Sequence, residues 1–409
     1  MATPAQRTNT WTLDEWYDQA VAGTTGGYQI TKYLYTWGNN TDGQLAQNNT
    51  TSKSSPVQVP GTTWSVLGSS SSSYQTCYGI KSDGTLWSWG DNEYGLLAND
   101  GPTSQNQSSP IQVPGTTWKA AFGGRNTALA SKTDGTLWNW GSNPEGGLGQ
   151  NNRTQYSSPK QIGAGTDWAG TYAMIAVGEG HQGAIKTDGT MWVWGQNYAG
   201  ELGQNVAAPS HRSSPCQIPG TTWRDLKFAG RAGLATKTDG TLWSWGYDIY
   251  GQLGLNQGGP TAKKSSPTQV GTDTTWSGVG DVGYSGYCSW ALKTDGTLWA
   301  WGSNEYGALG LNQSTTLKLS SPTQIPGTTW VNLATAQVAG AGNPIIFATK
   351  TDGTLWSWGV NQGDWKGGLG QNDIINRSSP TQIGTDTDWF TTQGSFTAGG
   401  GWGAALKAS

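Results

Sequence analysis

One pattern of apolar and polar positions recurs along the chain. A polar Lys-Thr-Asp-Gly stretch leads into an apolar-rich run that ends in Trp-x-Trp-Gly, as in KTDGTLWNWG (132–141), KTDGTLWSWG (237–246), KTDGTLWAWG (293–302) and KTDGTLWSWG (350–359). Side chains alternate along a strand, so Leu242-Trp243-Ser244-Trp245 places both tryptophans on one face. Asp-Gly between two such runs predicts a hairpin with a type I′ turn, in which both central residues need φ > 0. Asp83, Asp134, Asp188, Asp239, Asp295 and Asp352 are therefore read as turn residues. The glycine after the second tryptophan permits a sharp exit. A G-x-L-G stretch follows, as at Gly251-Gln252-Leu253-Gly254, and then Ser-Ser-Pro, whose proline favours an extended or edge position. Hairpin, loop, strand, loop, strand predicts a small antiparallel sheet of about four strands.

The unit is counted by its marks. Trp-Gly falls at Trp37, Trp89, Trp140, Trp194, Trp245, Trp301 and Trp358. Ser-Ser-Pro ends at Pro56, Pro110, Pro159, Pro215, Pro267, Pro322 and Pro380. A third tryptophan, mostly in PGTTW or GTDW-like stretches, stands at Trp64, Trp118, Trp168, Trp223, Trp276, Trp330 and Trp389. Seven small sheets bury little alone, so they must pack in series, and closing the series into a ring removes the exposed ends. The chain opens with the second half of a hairpin unit (Tyr33 to Gly38) and ends with the first half of one (Gly403 to Lys407). The sequence thus predicts an all-β fold: a seven-bladed β-propeller of four-stranded blades over residues 34–409, with one blade shared between the two termini. Twenty of the 25 tryptophans occupy repeated positions and are read as blade-to-blade packing; Trp290, Trp365 and Trp402 stand outside the pattern.

Composition narrows the chemistry. The net charge is −3 and charged residues make up 12%, which gives no basic surface for a phosphate backbone, so no nucleic-acid partner is expected. Cys77, Cys216 and Cys288 are far apart and odd in number, which fits neither a disulfide framework nor a zinc site. The two histidines, His181 and His211, lie in different units. No metal, cofactor or catalytic constellation is expected, and the chain is read as a non-enzyme. The opening residues show no apolar signal segment, and no stretch is long enough to insert in a membrane.

Units such as ALKTDGTLWAWGSNEYGALGLNQ (291–313) followed by SSPTQI (320–325) resemble the regulator-of-chromosome-condensation repeat in its bacterial and viral style. The resemblance spans residues 34–409 and implies the same closed seven-bladed propeller. Its members include an exchange factor, protein inhibitors of enzymes and many binding modules, so function has to come from the site.

Residues 1–33 lie outside the repeat. Within them TLDEWYDQAVAG (12–23) predicts a short helix. Thr12 and Glu15 form a capping box, and Leu13, Trp16, Tyr17, Ala20 and Val21 make one apolar stripe. So short a helix needs something to dock on, either its own propeller or a larger assembly. NTWTLDEWYDQAVAG is also similar to N-terminal leaders of repeat-bearing proteins in marine, particularly cyanobacterial, phages. That resemblance implies a virion protein assembled in the host cytoplasm, held by other virion proteins through residues 1–33.

Binding residues are sought where the repeat fails. The segment before each hairpin varies while its flanks stay constant, and its seven copies fall on one face around the channel. Those positions carry Tyr74, Arg125, His181, Arg231, Tyr287, Asn343 and Trp402, with Trp290 as a further candidate. Mixed aromatic and polar loops of this kind suit a host cell-surface glycan or protein. The sequence therefore predicts a phage virion propeller, displayed on a tail or capsid for receptor binding or decoration. The alternative is an inhibitor or adaptor propeller acting on one protein target.

Overall fold

A computed structural model describes residues 31–70, 75–101, 103–206, 209–259, 262–279, 287–338, 343–362 and 367–408. Seven antiparallel blades of four strands close into a ring, numbered here 1 to 7 in chain order from Trp64. Each blade runs outward from an innermost strand, such as Trp223–Ala229 of blade 4, through Ala232–Lys237 and Leu242–Tyr247 to an outermost Ser-Ser-Pro strand, Lys263–Gln269. Blade 7 is built from both ends. Phe396–Gly399 and Trp402–Ala408 supply its inner strands, Lys32–Gly38 and Lys53–Gln58 its outer ones, and Lys32 to Gly38 pair with Ala408 to Trp402 without a shift. The ring therefore starts at Lys32, two residues before the boundary read from the repeat, because Lys32 and Tyr33 still pair with Ala408 and Lys407. The predicted helix at 12–23 lies outside the described residues.

The second tryptophan of each unit locks neighbouring blades. Its indole N–H donates to a backbone carbonyl in the G-x-L loop of the preceding blade, seven times around the ring. The last of these, Trp37 to the Gly368 carbonyl at 3.1 Å, seals blade 6 to blade 7. All seven of these indoles are at most 1% exposed, and each meets the third tryptophan of its own blade at 5.6–6.4 Å between ring centroids. A second seal was not read from the sequence. Asn48, Asp100, Asn151, Asn205, Asn256, Asn312 and Asn372 all take left-handed φ, between 52° and 57°, and each donates its backbone N–H to the first Ser-Ser serine carbonyl of the next blade. Asn and Asp are the non-glycine residues that adopt this conformation most readily.

The Asp-Gly turns differ from expectation. Only the glycine is left-handed, as at Gly240 with φ 79°, while the aspartates keep negative φ. Gly240 N–H donates to the Lys237 carbonyl and Lys237 N–H to the Thr241 carbonyl. This is a three-residue loop closed by a left-handed glycine rather than a type I′ turn. The reason lies in the side chain. Asp239 Oδ1 accepts the Thr241 N–H at 3.0 Å and its hydroxyl at 2.6 Å, and Thr241 Oγ1 accepts the Trp243 indole N–H at 2.8 Å. The same relay recurs at Asp83, Asp134, Asp188, Asp295 and Asp352.

The hairpin turns and the linkers into the next blade share one face of the disc, the turn face. The loops between first and second strands and between third and outermost strands share the other, the loop face.

Described residues reach across the axis. Blades 3 and 7 each carry four more residues than blade 4 between the third tryptophan and the equivalent inner-strand position, Ile175, Phe396 and Leu226 respectively. The additions turn inward. Tyr172 of blade 3 packs on Phe122 of blade 2 at 4.5 Å, within a cluster against which Val66 of blade 1 also packs. Its ring lies 3.3 Å from where a Cβ on Gly394 of blade 7 would be. Blades 3 and 7 stand three places apart in a ring of seven, so this contact crosses the axis. The Leu67 N–H donates to the Gly394 carbonyl at 2.6 Å. The buried Lys227 of blade 4 donates to the Tyr172 carbonyl at 2.9 Å, with its ammonium 4.6 Å from both the Phe122 and Tyr172 rings.

Candidate interaction face

The candidate residues divide sharply once they are placed. A blade is covered on both faces by its neighbours, so the inner strands are largely buried whichever way a side chain points, and solvent is met mainly at the loops and on the outermost strands. Arg125 and Arg231 sit on inner loops of blades 2 and 4, and Tyr287 sits at the end of the inner loop of blade 5. His181, Trp290 and Trp402 lie on second strands and are 0%, 0% and 1% exposed. Trp290 packs among Trp330, Ile346 and Trp358, and Trp402 among Leu34, Trp64 and Trp89. These three are core residues, which corrects the expectation that they face a ligand. Asn343 begins a strand, paired with Val338. Tyr74, Trp365 and the stripe Leu13, Trp16, Tyr17, Ala20 and Val21 lie outside the described residues.

The two arginines are brought together by a residue that sequence reading missed. Glu179, on the inner loop of blade 3, accepts from Arg125 Nη1 at 3.0 Å through Oε1 and from Arg231 Nε at 2.9 Å through Oε2. The arginine side chains are 42% exposed and the glutamate 12%, so a carboxylate from one blade ties down guanidinium groups from the blades on either side. Glu179 is held by its loop: Gly178 N–H donates to the His181 carbonyl at 2.8 Å, and the Gln196 N–H to the Gly180 carbonyl at 2.9 Å. Gly178 has to be glycine, since a Cβ there would lie 2.4 Å from the His181 ring. Burial holds the His181 imidazole neutral, its pKa lowered to about 3 against the opposing pull of Glu179. Its ring meets Phe228 edge-on at 4.3 Å.

Tyrosines extend the site to either side. Tyr198 is 44% exposed, with the Arg231 guanidinium 5.6 Å from its ring and His211 against it at 4.6 Å. A cleft of about 290 Å³ opens between Arg125, Glu145, Glu179, Gln196, Tyr198 and Arg231. On the other side Tyr287 meets Tyr250 at 4.4 Å with the rings tilted by 59°, and Lys318 lies over Tyr250 at 4.5 Å. Burial raises the Tyr287 phenol, and the nearby tyrosines, Glu305 and Glu179 add to the shift. A sequence signal for these residues existed. Tyr198 and Tyr250 stand beside the G-x-L-G mark, in loops whose neighbouring residues repeat.

Among the described residues no group of three or more His, Cys, Asp or Glu side chains could hold a metal, and the cysteines are free. No described helix is long and apolar enough to cross a membrane.

Comparison with known proteins agrees with the fold. The chain is similar to the ultraviolet-B receptor UVR8 of Arabidopsis thaliana, 25% identical over 85% of this chain and 76% of that one. It is also similar to the mitochondrial RCC1 domain-containing protein RUG3 of the same plant, 25% identical over 69% of this chain and 62% of that one. Against the human E3 ubiquitin-protein ligase HERC2 it is 26% identical over 73% of this chain, which spans only 6% of HERC2. Among solved structures, Prp20p of Saccharomyces cerevisiae superposes with a TM-score of 0.76 at 17% identity, covering 93% of this chain and 92% of that one. Human WBSCR16 gives 0.73 at 18% identity, covering 92% and 99%. The RCC1-like domain model matches residues 33–405, and the chain belongs to that family.

Proposed function

We propose that the chain is a non-enzymatic binding propeller that takes a protein partner on its loop face. One observation carries this reading: arginines from blades 2 and 4, held by Glu179 of blade 3, with partly exposed tyrosines on either side. Arg and Tyr dominate the energetics of protein interfaces, because both give large contact area with directional hydrogen bonds. Fixing them in advance lowers the ordering cost of association. The structures of Prp20p are described by its binding to Gsp1p and histones and by its complex with Kap60, which supports a protein partner for a ring of this family.

A photo-crosslinking side chain at Tyr198 on the loop face, and another at Thr238 on the turn face, tests the reading. Adducts with a partner should form at Tyr198 alone and be lost in Arg125→Glu with Arg231→Glu. Equal adducts at both positions, or adducts that survive the double charge reversal, would sink it.

The setting we propose is a phage virion, where residues 1–33 hold the ring on the particle and the loop face meets the host surface. The leader NTWTLDEWYDQAVAG is its sole support. Mass spectrometry of purified particles tests it, and particles without this chain would leave the adaptor or inhibitor reading in its place.

A further inference from the structure

Two grooves on the outer rim repeat each other closely. One lies between blades 2 and 3, with a volume of about 560 Å³, and the other between blades 4 and 5, at about 570 Å³. Trp168 and Trp192 line the first, and Trp276 and Trp299 line the second. A lysine crosses each indole pair. Lys186 is 5.1 and 5.0 Å from its two ring centroids, and Lys293 is 4.9 and 4.0 Å from its pair. An aspartate holds each ammonium: Asp167 at 2.9 Å and Asp273 at 2.5 Å. Uncharged walls complete the grooves, with Gln161 and Ser214 in one matched by Gln269 and Ser321 in the other. Lys264 at the rim of the second has Tyr156 as its counterpart, so a basic rim is not shared.

The grooves occur where the linker is one residue longer and a glycine, Gly163 or Gly271, replaces the proline of the PGTTW linkers. At both glycines the space beyond the backbone is open, with nothing within 4 Å of where a Cβ would be. A third linker of this kind leads into blade 7, where Tyr35 takes the place of the first tryptophan.

We propose that these two grooves are binding sites for a neutral oligosaccharide. The ammonium and carboxylate shared by the two grooves neutralise one another, so the feature they have in common favours neither an acidic nor a basic ligand. What remains is a floor where Trp192 and Trp299 are partly exposed beside the lysine and Trp168 and Trp276 are buried beneath it, with one fixed donor and one fixed acceptor, between amide and hydroxyl walls. A pyranose matches that surface: its C–H face lies on the aromatic carbon and its hydroxyls meet the polar rim. The volumes fall in the range of small-ligand sites and leave room for more than one sugar ring. Two equivalent sites on one rigid ring would also reinforce each other on a polymeric glycan. This site is independent of the loop face.

Saturation-transfer NMR and titration with chitotriose, maltotriose and cellotriose, with sialyllactose as the anionic control, test the proposal. Gln161→Arg and Gln269→Arg each fill and charge one groove at a half-buried position on the outer strand, and circular dichroism checks that each variant is folded. The wild-type ring should bind at least one neutral trisaccharide at two sites. Each single variant should lose one site, and the double variant should weaken binding more than tenfold. Arg125→Glu with Arg231→Glu should bind the sugar as wild type does. Absence of neutral binding, binding of sialyllactose alone, or undiminished binding by the double groove variant would overturn it.

Discussion

The two faces of the disc obey different rules. On the turn face a lysine lies over two aromatic rings in every blade, and six of the seven blades add an Asp–Thr–Trp relay. On the loop face the described inner loops of blades 2, 3 and 4 differ in sequence, and a tight ionic cluster there draws on all three blades. Repetition therefore marks what every blade needs in order to close, and the loops that escape it are where we place the binding surface. The buried His181 sits where the two regimes meet, on a core strand directly after the loop that carries Glu179.

Substitutions that separate the two faces sharpen this contrast. The largest effect is expected at the blade lock: Trp245→Ala should cost about 3–5 kcal/mol, through lost burial and a cavity, and calorimetry should show the whole ring melting earlier. His181 comes next, through pH. Its folded pKa, about 3, lies below the ordinary 6.5, so stability is whole above pH 6.5 and is lost as pH falls toward 3. His181→Leu should remove that loss, so its Tm should fall less than that of wild type between pH 7 and pH 4; parallel curves would contradict the assignment. On the turn face, Thr241→Val breaks one relay and should cost about 1 kcal/mol. Thr136→Val should cost the same, because the unit is the same; denaturant titration reads both. The smallest effect on stability belongs to Glu179→Gln, at most about 1 kcal/mol because the arginines it holds are half exposed. Its consequence should be read in partner binding instead, and a large loss of stability would make Glu179 part of the scaffold.

Much of the fold was legible because each mark of the repeat answers a local demand. Glycine after Asp turns the chain, tryptophan fills the space between blades, and half-units at both ends call for a shared blade. The turn type escaped, since it depends on whether aspartate uses its backbone or its side chain, and the Thr241 relay decides that. The left-handed asparagines after G-x-L-G were visible at a fixed offset and went unread. Sequence length alone could not tell which end of a varying segment holds its extra residues, so the inward additions of blades 3 and 7 looked like surface loop. Of the site, Arg125, Arg231 and Tyr287 were legible as departures from the repeat. Trp290 and Trp402 depart from it too, yet they are core, because rarity in a sequence says nothing about which side of a strand is covered. Glu179 escaped because its role exists only once blades 2, 3 and 4 stand side by side.

The inward additions also give the ring a mechanical character. A ring held only by neighbour contacts can be squeezed into an oval at small cost, each joint flexing a little. Tyr172, reaching across the axis to Gly394, with Lys227 fastened to its carbonyl, acts as a spoke that couples blades 1, 2, 3, 4 and 7. The arginine cluster draws on blades 2, 3 and 4, three of the blades that this spoke ties together.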